Sequence, residues 1–456
     1  MGKSEKIEQY KGLIETYLKD PEHSGIPISE VARALKKLAK HDPESFHDYL
    51  KKIPNEYLGD IALELPEKYL RGVVEKLDSE KLAEVLEELE SDDATDLMQD
   101  IEEIDEEKAK EILASMDKED QEEISMLKRY EEDQAGAHMQ TELFSANIEE
   151  RVRDSIERLK KLKASGELEN VHQLYVVGTF GKLMFTIPLE DLLTFDFDKT
   201  YKEILQGHEE DFKPIFVHDT DDIHEVAKLF SEHDLSAIPV VNAQNELVGR
   251  ITSDDIYDIL EDQATEQIYN LAGVDDEAEE EENFVEAGKK RATWLLINLL
   301  TAILASFVIQ MFDETIQAYV ALAVLMPIVA SMGGNAGTQT LTVTVRRLAL
   351  GDIELSNAKE IIKKEVLLSL ANGLAFAVLL GIVSWIWFGE IKLGFVIAAS
   401  MVINLFMDGF FGALIPLLLK RLNIDPAVGS TVILTTVTDV VGFFSFLGLA
   451  SIFLIK

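Results

Sequence analysis

Hydrophobic positions change their rhythm twice along the chain. Up to about residue 130 they recur at helical spacing in segments of roughly a dozen residues, as in Lys81-Leu-Ala-Glu-Val-Leu-Glu-Glu-Leu89, with breaks near Pro54, Pro66, Asp78-Ser79, Ser91-Asp92, Asp105 and Asp117. Each segment is too short to bury its own stripe, so stacking into a small superhelix is expected. Between about 139 and 262 the pattern turns to strands and helices and repeats itself. Tyr175 to Asp191 matches Pro239 to Asp255 at a constant offset of 64, with Val176/Val240, Val177/Val241, Leu183/Leu247, Ile187/Ile251 and Asp191/Asp255 identical. Each copy reads as strand, tight turn, strand, and a helix entered through an acid. After Arg291 come five long apolar stretches, Ala292 to Phe312, Tyr319 to Thr344, Val366 to Phe388, Leu393 to Leu419 and Ala427 to Ile455. Each can cross a hydrocarbon core of ~30 Å, which takes about 20 helical residues.

Charge follows the same division. The 456 residues carry a net charge of −41, yet the part after residue 283 holds 12 Lys and Arg against 11 Asp and Glu, and the part before it 31 against 73. So negative a surface repels phosphate and excludes a nucleic-acid binder; metal cations or basic partners are its counter-species. The N-terminus has no apolar run of the kind a secretory signal needs, which places the first part in the cytoplasm. Lys289, Lys290, Arg291, Arg346, Arg347, Lys359, Lys363, Lys364, Lys420 and Arg421 then fall on the cytoplasmic side, and only Lys392 and Lys456 opposite. That bias predicts a multi-pass protein of the plasma (inner) membrane with its N-terminus inside and its C-terminus outside.

Polar residues within the spans carry the candidate chemistry, because ionisable groups in hydrocarbon are costly and face a bundle interior or a water path. Asp439 sits mid-way along the fifth span, with Thr431 and Thr435 on its face and Gly442 as a place for the helix to loosen and offer carbonyls. Either these groups line a path or they form a packing cluster. In the second span Pro327 frees a carbonyl, and Gly333, Gly334 and Gly337 permit unwinding or close helix packing. Asn335 and Gln339, a turn apart, can bond the water shell of an ion. Asp408, in the fourth span, lines the path or pairs with a neighbour.

Ligand types narrow the ion. There is no cysteine and every histidine precedes the spans, so the spans supply oxygen and thioether donors only. Oxygen ligands favour Mg2+, Ca2+ or Mn2+, or a monovalent ion. One carboxylate with carbonyls suits Mg2+ well, since that ion keeps much of its water. No catalytic constellation is evident, so an enzyme is not expected.

The 64-residue repeat resembles a tandem pair of CBS domains, whose cleft often binds adenine nucleotides such as ATP. The second copy keeps Gly249, Thr252 and Asp255, where the first has Phe185, Pro188 and Asp191. With Gly333-Gly-Asn-Ala-Gly-Thr-Gln339, Asp425-Pro-Ala and Thr435-Thr-Val-Thr-Asp439, nearly the whole chain resembles the MgtE family of magnesium channels and transporters, related in its membrane part to the solute-carrier-41 proteins. The resemblance implies a multidomain chain: an acidic α-helical superhelical N domain (1–135), an α+β tandem CBS pair (136–262), a connecting plug helix (263–290) and a five-helix transmembrane domain (291–456). It also implies a homodimer in the lipid bilayer with a pore on its two-fold axis, where Asp439, with Asn335, Gly334 and Thr435, would hold hydrated Mg2+. Cytosolic Mg2+ would close that pore by binding among Asp96, Asp254, Asp258, Glu261, Asp262 and Glu266. The chain departs from the family at Gln267, where a further acid is usual, and its first 50 residues have no clear counterpart. An acidic run at Glu277 to Glu282 reads as a solvated linker.

Two other functions stay open at this level. One is an ion-coupled secondary transporter of divalent cations such as Mg2+ and Co2+, for which no inverted repeat is visible. The other is a membrane-anchored nucleotide or metal sensor.

Overall fold

Aspartates and prolines start most of the short helices. In the computed structural model, which describes residues 3–21, 23–168, 170–274, 284–353 and 355–455, the first part contains α1 Lys3–Lys19, α2 Ile28–His41, α3 Pro43–Leu50, α4 Asn55–Leu63, α5 Glu67–Lys76, α6 Ser79–Glu87, α7 Ser91–Ile104, α8 Glu106–Ser115 and α9 Lys118–Leu127. The side chains of Asp42, Asp78 and Asp105 accept from the backbone N–H groups of Ser45, Lys81 and Lys108, satisfying helix donors that would otherwise lack partners. Pro27, Pro54 and Pro66 stand immediately before α2, α4 and α5. All six breaks expected from the sequence fall at helix boundaries. The buried stripes share one core that includes Leu58, Ile61, Leu70, Val74, Leu86 and Ile101. Ile14 and Tyr17 of α1 and Leu35 of α2 lie in that same core, so the first 50 residues are built into the helical domain.

The repeat folds as two three-stranded sheets. β1 Ser145–Asn147 pairs in parallel with β2 Gln173–Val177, which pairs antiparallel with β3 Leu183–Pro188; β4 Val217–His218, β5 Ala237–Val241 and β6 Leu247–Thr252 repeat that order. The β2–β3 and β5–β6 hairpins keep the offset of 64, and each slips its register at the same place, Val176/Val177 and Val240/Val241. The copies also touch at equivalent positions, with Gln173 Nε2 donating to the Ala237 carbonyl at 3.1 Å. Around the sheets lie α10 Val152–Ser165, α11 Leu189–Leu192, α12 Tyr201–Leu205 and α13 Ile223–His233. The helix closing the first copy, α11, is a single turn. Its counterpart, α14 Ser253–Ala272, runs five turns to Gly273, whose φ of +69° ends it. The linker expected at Glu277 to Glu282 lies outside the described residues.

Backbone contacts divide the chain into two units, residues 1–261 and 262–456, with the division inside α14. The C-terminal unit adds α15 Phe284–Gln310, α16 Asp313–Ala318, α17 Ala321–Ala349, α18 Ala358–Phe388, α19 Ile391–Arg421 and α20 Ser430–Ala450, closed by a π-type turn at Ser451–Ile455. Five of these helices, α15 and α17 to α20, are long and apolar enough to cross a membrane. α16 was not expected; it occupies the connection between the first two spans. α19 is the most deeply packed, and its contacts with α17 and α18 are backbone-close. A methyl group at Gly412 would stand 2.9 Å from the Gly337 carbonyl, and one at Gly394 would stand 2.7 Å from the Gly381 carbonyl. Without cohesion from water, such close packing is what holds helices together in lipid.

Of the two roles open to the second-span glycines the structure takes packing, and one expectation, at Gly442, is corrected. α17 runs unbroken through Pro327 and the glycines that follow, and Gly333 and Gly337 serve packing, against Asn404 and Leu434. α20 does not loosen at Gly442; the site is filled by Asn404, whose Oδ1 would lie 2.9 Å from a methyl group there, and the looser π turn comes only after Ala450. Both follow from helix economy. Unwinding in hydrocarbon strips hydrogen bonds that nothing nearby replaces.

Candidate cation sites

Asp439 projects from the middle of α20 and is half-buried within the protomer. Its threonine neighbours do not all share its surroundings. Thr431 Oγ1 donates to the Leu271 carbonyl at 2.7 Å, while Thr435 Oγ1 donates to the carbonyl of Val432 and Thr438 Oγ1 to that of Thr435. The expected hydroxyl at Thr431 is therefore engaged with the end of α14. On α17, Asn335 and Gln339 are exposed on the side opposite the buried Gly333 and Gly337, and Gly334, on the flank between, is partly exposed. Asn335 Nδ2 reaches Ser331 Oγ at 3.5 Å.

Asp408 lies apart from that exposed row. It is fully buried in α19, and neither carboxylate oxygen has a hydrogen-bond partner among the described residues, so the pairing considered for it does not form there. Its Oδ2 would stand 3.0 Å from a methyl group at Gly333, and one turn away Asn404 Nδ2 donates to the Val329 carbonyl at 2.9 Å. Gly333 leaves room for these two side chains between α17 and α19.

The last turn of α14 belongs to the C-terminal unit and packs on its helices. Leu271 covers a cluster of Leu341, Val345, Ile415, Ala427 and Leu434, drawn from α17, α19, α20 and the turn before α20. Asn270 Nδ2 bridges Glu266 Oε1 at 3.2 Å and Asp425 Oδ2 at 3.3 Å. The Asp425-Pro-Ala motif thereby acquires a role: Asp425 Oδ1 accepts from the Ala427 N–H at 2.9 Å, and its other oxygen meets α14.

A second acidic site forms in the N-terminal unit, where the start of α7 meets the start of α14. Asp92 is buried, and Glu90, Asp93 and Asp255 are partly buried, with Arg250 as the buried cation, 3.6 Å from Glu90. Glu142 accepts from both the backbone and the hydroxyl of Ser91, and Gln140 donates to Glu90, tying the helical domain to the second CBS copy. Burial, then the Asp255 carboxylate, pushes Asp93 up to about 7. Burial likewise takes Glu90 to about 7 in spite of Arg250, and Asp255 to about 6 against the hydrogen bond from Thr252. Asp92 is raised well above the usual carboxylate range by burial and Asp255. Four crowded carboxylates facing one guanidinium resist full ionisation.

Of the predicted sensing residues, Asp254 joins this junction, bonded to Thr252 Oγ1 at 2.5 Å. Asp96 is exposed in the second turn of α7, with His138 and Glu132 nearby. Asp258, Glu261, Asp262 and Glu266 lie exposed along α14. Sequence reasoning missed Glu90, Asp92 and Asp93 as site residues, although two adjacent aspartates opening a helix were a usable signal, since a helix N-terminus favours negative charge. The residues expected to take a nucleotide are occupied locally. Gly249 packs against Met139 and Gln140, a methyl group there falling 2.7 Å from Met139 Sδ, and Thr252 is bonded to Asp255 at 2.8 Å.

These observations define a membrane protein with an acidic helical domain, a CBS pair and five candidate membrane-spanning helices. Comparison with known proteins then gives the family. Residues 326–449 match the model described as a divalent cation transporter, MgtE; residues 26–133 match the MgtE intracellular N domain; residues 210–262 match the CBS domain. The chain is 34% identical to the magnesium transporter MgtE of Thermus thermophilus over 73% of this chain and 72% of that protein, and 35% identical to that of Enterococcus faecalis over 73% and 71%. The crystal structure of the soluble part of a magnesium transporter is similar at 26% identity over 57% of this chain and 99% of that one, with a TM-score of 0.47. The chain belongs to the MgtE family. The N-domain match begins at residue 26, so α2 and α3 have a counterpart that the sequence reading did not find.

Proposed function

We propose that the protein carries Mg2+ across the membrane as a homodimer, and that Mg2+ on the cytosolic side closes the path. Asp439 carries this reading. It is a half-buried carboxylate at mid-span, in a unit with no histidine and no cysteine, the ligands zinc prefers. Pairing two protomers about the faces that expose Asn335 and Gln339 would cover these polar groups and set two Asp439 carboxylates across one axis. A hydrated Mg2+ would then be held through its waters. The relatives named above are magnesium transporters, and the Lys and Arg bias of the loops supports a cytoplasmic N-terminus.

Gating follows from charge. The junction of Glu90, Asp92, Asp93 and Asp255 repels itself when empty and is drawn together by a divalent ion. Holding α7 against the head of α14 would favour the state in which the far end of α14 covers the helices around Leu434. A ligand with such a preference shifts the equilibrium by its differential affinity. ATP in the CBS pair remains an expectation of the resemblance; here Thr252 and Asp255 bond to each other beside the acidic junction, and Gly249 packs on Met139.

Isotope or indicator flux of Mg2+ into proteoliposomes tests the proposal. Wild type is expected to conduct at low Mg2+ on the cytosolic face and to shut as it rises. Asp439→Ala should abolish uptake while the protein stays folded by size-exclusion chromatography. Deleting residues 1–135 should preserve uptake and weaken shut-off. Unchanged flux in the first variant rejects the path, and unchanged gating in the second rejects the sensor. A flux that requires a Na+ or H+ gradient would favour coupled transport.

A further inference from the structure

A groove of 460 Å3 opens on the outer surface of the spans between the second half of α18 and the first half of α19. Its origin is steric. Gly381 and Gly394 bring the two backbones together, so no side chain fills the seam, and Leu374, Ile382 and Trp385 rise on one side while Phe395 rises on the other. On α18 the lining runs from Leu374 to Trp385 and on α19 from Ile391 to Val402, a length of about 16 Å at the rise of an α-helix. That is the depth of one leaflet, about half of a ~30 Å hydrocarbon core. At the shallow end stand Trp385 and Trp387, both exposed as interfacial tryptophans are, and Lys392 in the first turn of α19. Lys392 is exposed, as is Glu390 just before the helix. A lysine and the free N–H groups of a helix start both attract an anion.

We propose that this groove seats one acyl chain of a phospholipid from the leaflet that holds the α18–α19 turn, with the lipid phosphate at Lys392. The apolar walls, the one-leaflet length and a cation only at the shallow end each fit that occupant. The site lies outside the cation path and does not depend on the function proposed above.

The test uses full-length protein in detergent with Trp294→Phe and Trp387→Phe, which leaves Trp385, on the groove wall, as the sole tryptophan among the three in the chain. Phosphatidylglycerol brominated on its chains is titrated in, and brominated detergent serves as the control without phosphate. Saturable quenching of Trp385 at one lipid per protomer is expected. Ala399→Phe, at an exposed lining position, should abolish the saturable part, and Lys392→Gln should raise the half-saturating lipid concentration several-fold. Quenching that rises linearly and equally in the parent and Ala399→Phe proteins overturns the proposal. So does absence of quenching, the result expected if a second copy of the chain covers the groove. Because Lys392→Gln alters only an exposed side chain, an unchanged titration in that folded variant rejects the phosphate contact even if Ala399→Phe fails to fold.

Discussion

Thr431 Oγ1 donates to the carbonyl of Leu271 at 2.7 Å, joining the first turn of the last span to the last turn of a helix 160 residues earlier. A carbonyl at a helix C-terminus has no partner within its own helix, so this bond fastens the end of α14 at a point where nothing else in α14 can satisfy it. Thr431→Val keeps the shape and removes the donor. Losing a hydrogen bond of about 1 kcal/mol should raise the Mg2+ concentration needed for closure about fivefold while leaving maximal uptake unchanged. Flux measured over a range of cytosolic Mg2+ checks this.

The acidic junction should respond to pH in a defined sense. Glu90 and Asp93, at about 7, and Asp255, at about 6, sit above their ordinary values because of burial. The folded junction therefore binds more protons than the open one, and its stability falls as pH rises from about 4 through 7. Hydrogen exchange of the amides from Ser91 to Met98 in Mg2+-free full-length protein should be slower at pH 5.5 than at pH 8, comparing exchange corrected for its intrinsic pH dependence. Millimolar Mg2+ at pH 8 should restore protection, and Asp92→Asn with Asp93→Asn should weaken both effects, leaving the part of the pH dependence that Glu90 and Asp255 carry.

Helix approach in the membrane unit depends on glycine. A side chain at Gly412 meets the Gly337 carbonyl and Thr340 Cβ, each at 2.9 Å, and neither backbone nor Cβ can swing aside. Gly412→Val should destabilise the unit by about 1–3 kcal/mol through overpacking. A lowered midpoint of thermal unfolding in detergent would register it, and Gly334→Ala, with open space beside it, serves as the neutral control.

Leu35 tests the extent of the helical domain. It is fully buried in the core shared by α1 to α9, so Leu35→Ala should cost about 2–5 kcal/mol. Faster hydrogen exchange is expected in α4 and α5 as well as in α1 to α3; a change confined to the first 50 residues would mean that they fold as a separate layer.

Much of the architecture is readable from sequence because it is local. Helix starts at Asp78 and Asp105 depend on a side chain three residues from the N–H it caps, the spans depend on runs of apolar residues, and the CBS pair shows itself as a 64-residue offset carried intact into the hairpins. The candidate path residues were legible for the same reason: a carboxylate such as Asp439 stands out in an apolar run whatever surrounds it.

Tertiary structure decided what each polar group meets. From sequence, Thr431 and Thr435 are equivalent hydroxyls on one face, yet one holds Leu271 and the other bonds within its own helix. Asp408 and Asp439 are both mid-span acids, yet one is sealed against Gly333 and the other half open. Glu90, Asp92, Asp93 and Asp255 become one site only when α7 and α14 meet, across more than 160 positions of chain. Periodicity and composition report a residue's relation to its neighbours in sequence, within a turn or two. Burial, crowding of like charge and the partner of a hydrogen bond are set by residues distant in sequence, and those decide which acids are crowded together and which face solvent.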